Sequence, residues 1–152
     1  MAKTISTWAL IGLVAIFAGC GTQPTGERFM MQPMPKDCPD NQGRCEIKVG
    51  VAKCSAVPNA CDLYVDYDIV RFGRGRNGPI RWDLQEPGFV FPDDGITFVA
   101  ACAPSIRNCR PVANGRAFQC ENMHAQEAYC KYTVKITGPT NTNPLDPWVV
   151  ND

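Results

Sequence analysis

Nine cysteines stand against one histidine in this chain of 152 residues, and that ratio constrains the fold before any pattern is read. So many cysteines in a short chain point to a small domain closed by disulfides rather than held by a large core alone. The odd total leaves one sulfur for a separate task. The length allows one domain and a tail. Fifteen basic and fifteen acidic side chains cancel, so overall charge does not draw the chain to a polyanion, and no nucleic-acid partner is expected. The lone histidine would have to serve every catalytic site proposed. No enzyme is therefore expected, and no cofactor.

Lys3 precedes an apolar run of eleven residues from Trp8 to Ala18, broken only by Gly12. A membrane-spanning helix needs about 20 apolar residues, and no polar face makes this run an amphipathic core helix. A basic start, a short apolar centre and small residues at its end form the pattern of an export signal, expected over residues 1–19. The run closes with Phe17-Ala18-Gly19-Cys20, which resembles the lipobox of bacterial lipoproteins. Ala18, Gly19 and Cys20 match that pattern; Phe17 stands where leucine is commonest. The resemblance implies cleavage just before Cys20, a diacylglyceryl group on its thiol and a fatty acyl chain such as palmitate on its amine. The membrane is then a partner through lipid, and several acyl chains hold where one binds only marginally. Gly21 replaces the aspartate that retains such proteins at the inner membrane. The resemblance thus implies the outer membrane, with the protein facing the periplasm or the cell surface.

Residues 20–37 carry three prolines and no period, as a lipidated tether would, with a reach on the order of 20–25 Å. Met30, Met31 and Met34 within it offer thioethers for Cu(I). No histidine or cysteine near them strengthens a metal site, so none is expected.

Residues 38–152 alternate in the period of strands. Cys45, Ile47, Val49 and Val51 share one face; so do Ile80, Trp82 and Leu84; so do Cys130, Tyr132, Val134 and Ile136. Shorter strands are expected at Phe89–Phe91, Ile96–Phe98 and Phe118–Cys120, and another between Asp66 and Phe72. Turn signals separate them at Gly73–Pro79, Pro87-Gly88, Pro92–Gly95, Asn114-Gly115 and Gly138-Pro139. About seven short strands with regular turns indicate an all-β antiparallel sandwich or barrel. In the tail, Pro144 and Pro147 argue against a central strand. Trp148, Val149 and Val150 should still dock, as an extended segment covering a sheet edge.

Ile80 to Leu84, Phe89 to Phe98, Tyr129 to Ile136 and Asp146 to Asn151 together resemble motifs of a family of small exported bacterial proteins of no known activity. The spacing within Phe89 to Phe98 departs by one residue, at Asp93-Asp94. The resemblance covers about 100 residues and rests mostly on core-packing positions. It implies an Ig-like or cupredoxin-like sandwich, here disulfide-stapled, and brings no activity with it.

With Cys20 lipidated, an even number of cysteines remains, in a compartment where disulfides persist. A six-residue interval separates Cys38 from Cys45, Cys54 from Cys61 and Cys102 from Cys109; nine residues separate Cys120 from Cys130. The repeated interval suggests sequential pairing, Cys38–Cys45, Cys54–Cys61, Cys102–Cys109 and Cys120–Cys130, among the many pairings eight cysteines allow. Each small ring would contribute roughly 2–2.5 kcal/mol. Zinc sites favour cysteines two to four residues apart, a spacing not found here.

Few residues are left to carry chemistry. Cys120, Met123 and His124 lie near one another in sequence, but a blue-copper site needs two histidines and a free thiolate. Ser55 and Ser105 fall inside the expected disulfide rings and lack a nucleophile-elbow pattern. Asp62, Asp66, Asp68, Asp93 and Asp94 sit at strand edges and turns, where carboxylates are normally solvated. The most suggestive feature is a cluster of arginines, Arg71, Arg74, Arg76 and Arg81, three of them around a glycine-rich turn. Their forks would either pair with Asp66 or Asp68 or take a carboxylate or phosphate bidentately. The expectation is a membrane-anchored binding or structural module of the bacterial envelope, with another envelope protein as partner. The alternative is a periplasmic inhibitor or immunity protein against a lytic enzyme; a hydrolase on the same scaffold ranks behind both.

Overall fold

The computed structural model describes residues 34–56 and 59–152. These form eleven strands and one short 3-10 turn: β1 (Lys36–Cys38), β2 (Cys45–Ala56), β3 (Asn59–Val65), β4 (Ile69–Phe72), β5 (Gly78–Leu84), β6 (Ile96–Phe98), the turn η1 (Ala100–Cys102), β7 (Ile106–Val112), β8 (Ala117–Asn122), β9 (Ala128–Val134), β10 (Asn141–Asn143) and β11 (Trp148–Asn151). They build two sheets, one in the order β1-β4-β11-β9-β6 and one in the order β10-β3-β2-β5-β8-β7. The fold is the expected all-β sandwich with more strands than the seven expected. It is also mixed rather than antiparallel throughout, because β1 and β11 both run parallel to β4, β10 parallel to β3, and β2 parallel to β5.

The core forms where the inward phases of the two sheets meet. Ile47 and Val49 of β2, Ile80 and Trp82 of β5, Phe118 of β8 and Tyr132 and Val134 of β9 are all fully buried. Trp82 packs edge-on against Tyr132 across the sandwich, ring centroids 5.4 Å apart. Its indole N–H donates to the Tyr132 hydroxyl at 3.2 Å, so the polar tips of both rings are satisfied inside the core. Burial pushes the Tyr132 phenol well above its ordinary range, the Trp82 bond opposing that shift. A second buried polar contact joins the sheets: Asn122 Nδ2 donates to Asn151 Oδ1 at 2.7 Å, and Asn151 Nδ2 donates back at 3.2 Å.

Expected strands reappear as β2, β4, β5, β6, β8 and β9, while the Phe89–Phe91 strand does not. Phe89 and Phe91 are buried, yet their backbone makes only an isolated bridge, Val90 to Thr137. Arg116 orders that stretch instead, donating to the carbonyls of Leu84 (2.8 Å), Glu86 and Phe89 (2.8 Å). Cys38 is not the first residue of the domain either: Lys36 and Asp37 already pair with β4. Lys36 donates to the Glu46 carbonyl and lies over the ring of Tyr67, which pins β1 to the sandwich.

The largest correction concerns the C-terminal segment. It does not cover an edge; β11 is the central strand of its sheet, parallel to β4 on one side and antiparallel to β9 on the other. Pro144 and Pro147 both lie outside the four paired residues, so no proline interrupts the donors on either edge. Val149 is fully buried, and Val150 and Asn151 nearly so.

Four disulfides staple the domain. Cys38–Cys45 and Cys54–Cys61 are joined as their spacing suggests, but the other four cysteines pair as Cys102–Cys130 and Cys109–Cys120, not Cys102–Cys109 and Cys120–Cys130. A six-residue interval closes a ring only where the chain reverses inside it. It does so between Cys38 and Cys45, at the turn where Gly43 N–H donates to Asp40, and between Cys54 and Cys61, which face each other across β2 and β3. After Cys102 the chain enters β7 instead and carries Cys109 alongside β8, near Cys120. Cys102 is left at the end of η1, beside β9, where Val99 N–H donates to the Lys131 carbonyl and Cys130 is adjacent.

Candidate binding face

The outer face of the five-stranded sheet carries the most exposed aromatic residue of the described chain. Alternation turns Val70, Phe72, Val149, Cys130 and Tyr132 inward, and so turns Ile69, Arg71, Trp148, Tyr129 and Lys131 outward, with Val150 on the same phase but buried among its neighbours. Register aligns these into two rows, Asp37–Arg71–Val150–Tyr129 and Ile69–Trp148–Lys131. Tyr129 is 74% exposed, Ile69 40% and Trp148 38%. Trp148 and Tyr129 are diagonal neighbours across β11 and β9, about 7–8 Å apart by sheet geometry. Trp, Tyr and Arg are the residue types that dominate binding energy at protein interfaces.

Ion pairs frame the rings. Arg71 donates through Nε and Nη2 to Asp37 at 2.9 and 2.7 Å and has Asp152 at 3.6 Å. The Asp37 bond, then its charge, raises the Arg71 pKa further, so this guanidinium is always charged. Lys131 meets Asp146 at 3.1 Å, and Thr133 donates to the same carboxylate at 2.8 Å. The hydroxyl bond first, and Lys131 after it, hold Asp146 below its ordinary value. Such exposed pairs contribute roughly 0–1 kcal/mol each to stability. Here they orient the rim.

The face runs out at one end into two shallow hollows of about 380 and 370 Å³ that share Arg74 and Asp152. Tyr129 and Glu127 wall the first; Asp37, Arg71 and Arg76 wall the second. The structure brings together three of the four candidate arginines, Arg71, Arg74 and Arg76. Arg81 is not among them. It stands on β5 of the other sheet, where it pairs with Asp83 at 2.9 Å. Asp66 and Asp68 are not the partners of these arginines: Arg71 is taken by Asp37 and Asp152, and Arg74 by Glu127 at 3.1 Å. Arg76 alone of the three has no ion pair among the described residues. Its backbone is held, N–H to the Gly73 carbonyl at 2.9 Å and carbonyl to His124 Nδ1 at 2.8 Å. His124 therefore shapes the arginine turn as well as standing half-exposed.

The remaining candidates are dispersed. Cys120 is bridged to Cys109 and provides no thiolate beside His124. Ser105 is buried, and its hydroxyl accepts the Gln126 N–H at 3.3 Å. Asp62 accepts from Asn143, Asp66 from the Lys48 N–H and Asp94 from Lys135. Cys20, Met30, Met31 and residues 1–19 lie outside the described residues.

Ile69, Tyr129 and Trp148 were absent from the sequence-based candidates. Tyr129 was within reach, because it takes the outward phase of the Cys130–Tyr132 strand. Trp148 was not, since only the insertion of β11 between β4 and β9 places it beside Tyr129. No protein-family model matches the chain, and no curated protein matches it.

Proposed function

We propose that the chain is an exported lipoprotein of the bacterial outer membrane, anchored through Cys20, whose sandwich acts by binding another envelope protein through the Ile69–Trp148–Tyr129 face. The observation that carries the reading is the cysteine count: all eight cysteines of the described residues are consumed in four bridges, and the ninth is Cys20. Disulfides persist outside the cytoplasm, and a lone sulfur at the end of an export signal suits a lipid better than a ninth partnerless thiol. The arginine hollow extends the same surface, and Arg76, without an ion pair among the described residues, offers its guanidinium to a carboxylate of the partner.

Mass analysis of the mature N-terminal peptide tests the anchor, with a diacylglyceryl-modified Cys20 expected and an unmodified chain beginning before residue 20 refuting it. In-cell crosslinking followed by mass spectrometry tests the face. Tyr129→Ala with Trp148→Ala should lower capture of the partner at least tenfold while the oxidised domain stays folded. Undiminished capture would remove the face from the reading.

A further inference from the structure

Among the described residues the sheets end in β1 and β6 on one side of the sandwich core and in β10 and β7 on the other. An edge strand left open is a template for another chain, and natural edges are blunted by charge, proline or a bulge. Three of these edges are blunted in that way. β1 carries Lys36 and Asp37, β10 lies between Pro139 and Pro144, and β7 holds Pro111 with a register shift between Arg107 and Arg110. β6 is Ile96-Thr97-Phe98, with no charge, proline or register shift.

The ladder beside β6 fixes which of its backbone groups are free. Lys135 N–H donates to the Gly95 carbonyl at 2.8 Å, and Val99 N–H donates to the Lys131 carbonyl at 3.2 Å. Alternate residues of an antiparallel strand bond to the same neighbour. Gly95, Thr97 and Val99 therefore face β9, and the N–H and C=O of Ile96 and Phe98 point away from it, where no described strand lies. Their side chains hold the strand in place: Ile96 is buried, and Phe98 stands edge-on to Trp82 with ring centroids 6.2 Å apart. Beside this edge a groove of about 330 Å³ separates β6 from β7. Phe98, Val99, Ala103 and Ile106 give it apolar walls, and Arg107 stands on its β7 side. No acidic residue occurs from Gly95 to Ala113. Arg107 and Arg110 are exposed and have no ion pair among the described residues. Glu121, opposite Arg107, accepts from Asn108 Nδ2 at 2.7 Å instead.

We infer that β6 is a docking edge, to which an extended segment of a second protein adds as a further strand, with apolar side chains on alternate positions and an acidic residue that meets Arg107 or Arg110. The main chain of that segment bonds to the free groups of Ile96 and Phe98. In this mode backbone hydrogen bonds supply affinity, and pockets for alternate side chains supply specificity. One phase of its side chains enters the groove over Val99 and Ile106. The unpaired guanidiniums select an acid on its flank, since a base there would meet like charge. The β6 edge of a second copy is the poorer occupant, because it brings no carboxylate and the same two arginines. The inference stands apart from the Trp148 face, which belongs to β4, β11 and β9.

The test selects random peptides of about seven residues, a strand's length, displayed on phage, against the full-length protein in mild detergent. Selected sequences should alternate apolar and polar residues and carry aspartate or glutamate. The strongest of them, synthesised, should slow amide hydrogen exchange at Ile96 and Phe98, which bond to no strand in the free protein. Arg107→Glu with Arg110→Glu, both on the surface, should lower its affinity about tenfold or more. Tyr129→Ala with Trp148→Ala should leave that affinity unchanged. A selection that yields no binder overturns the inference. So does a binder that leaves those two amides exchanging freely, or one that binds the charge-reversed variant undiminished. Binding lost with Tyr129 and Trp148 also overturns it, by moving the site to the aromatic face.

Discussion

Replacing Cys102 and Cys130 together by alanine opens the largest covalent ring of the domain, and the structure sets both the size of the effect and its chemical trace. The bridge closes a separation of 28 residues, against 7 for Cys54–Cys61 and 11 for Cys109–Cys120. In the chain-entropy treatment the latter two rings contribute about 2.4 and 2.8 kcal/mol, and Cys102–Cys130 about 3.2, because the intact Cys109–Cys120 bridge nested inside it shortens the path it closes to about 18 residues. Cys102 and Cys130 are also buried, so the vacated sulfurs add on the order of 1 kcal/mol of lost packing. The loss should total about 4 kcal/mol, over one and a half times that of Cys54→Ala with Cys61→Ala, where Cys54 is exposed. Urea unfolding of the oxidised proteins measures both, with midpoints compared at constant slope. A thiol titration of the unfolded double variant separates the pairings. Removing Cys102 and Cys130 deletes one bridge whole and frees no new thiol, whereas sequential pairing would leave Cys109 and Cys120 as two free thiols. Two new thiols, or equal losses for the two double variants, would refute the reasoning.

Three further outcomes follow from contacts in the sandwich. Asn151→Ala strands Asn122 Nδ2 in the core while Asn122 Oδ1 keeps the His124 N–H at 3.0 Å; it should cost about 2–4 kcal/mol in urea unfolding, with a double-mutant cycle against Asn122→Ala showing coupling of about 0.5–3 kcal/mol. Arg116→Ala should cost on the order of 2–4 kcal/mol by removing the donors to Leu84, Glu86 and Phe89, and Arg116→Lys should recover less than half, since one ammonium cannot fork to three carbonyls. Burial is the main cause raising the Asp66 carboxyl above its ordinary 3.8, partly offset by the Lys48 N–H bond. The folded state then holds that proton more tightly than the unfolded state. Its stability contribution is present below 3.8 and is lost as pH rises through the raised folded value. Asp66→Asn, which keeps an acceptor for Lys48, should therefore be more stable than the parent at pH 7 and lose that advantage at pH 3; an unchanged difference across that range would contradict the burial effect.

What could be read from the chain follows the range of the interaction involved. β5 and β9 were legible because each alternates cleanly and buries one whole face, so period alone assigned Trp82 and Tyr132 to the core. β3 carries the same alternation at Cys61, Leu63 and Val65, but it was not among the expected strands. The ring between Cys54 and Cys61 spans a hairpin, and the bridge stands between two paired strands. β11 was misplaced for a different reason: prolines exclude themselves from a central strand, not the four residues that follow them. The bridge pattern fails in the same way. Spacing states how far apart two cysteines lie along the chain, while bonding depends on which strand the next element is laid against. Cys38 and Cys54 bond locally because a reversal follows each; Cys102 bonds far because η1 leaves it beside a strand made 28 residues later. The binding face is the extreme case, since Tyr129, Trp148 and Ile69 come from three strands whose neighbourhood exists only after β11 has entered the sheet. A cysteine-rich sequence thus announces that rings will close. Only the strand order determines which rings they are, and here one late strand settles both the last half of the sheet and the surface it presents.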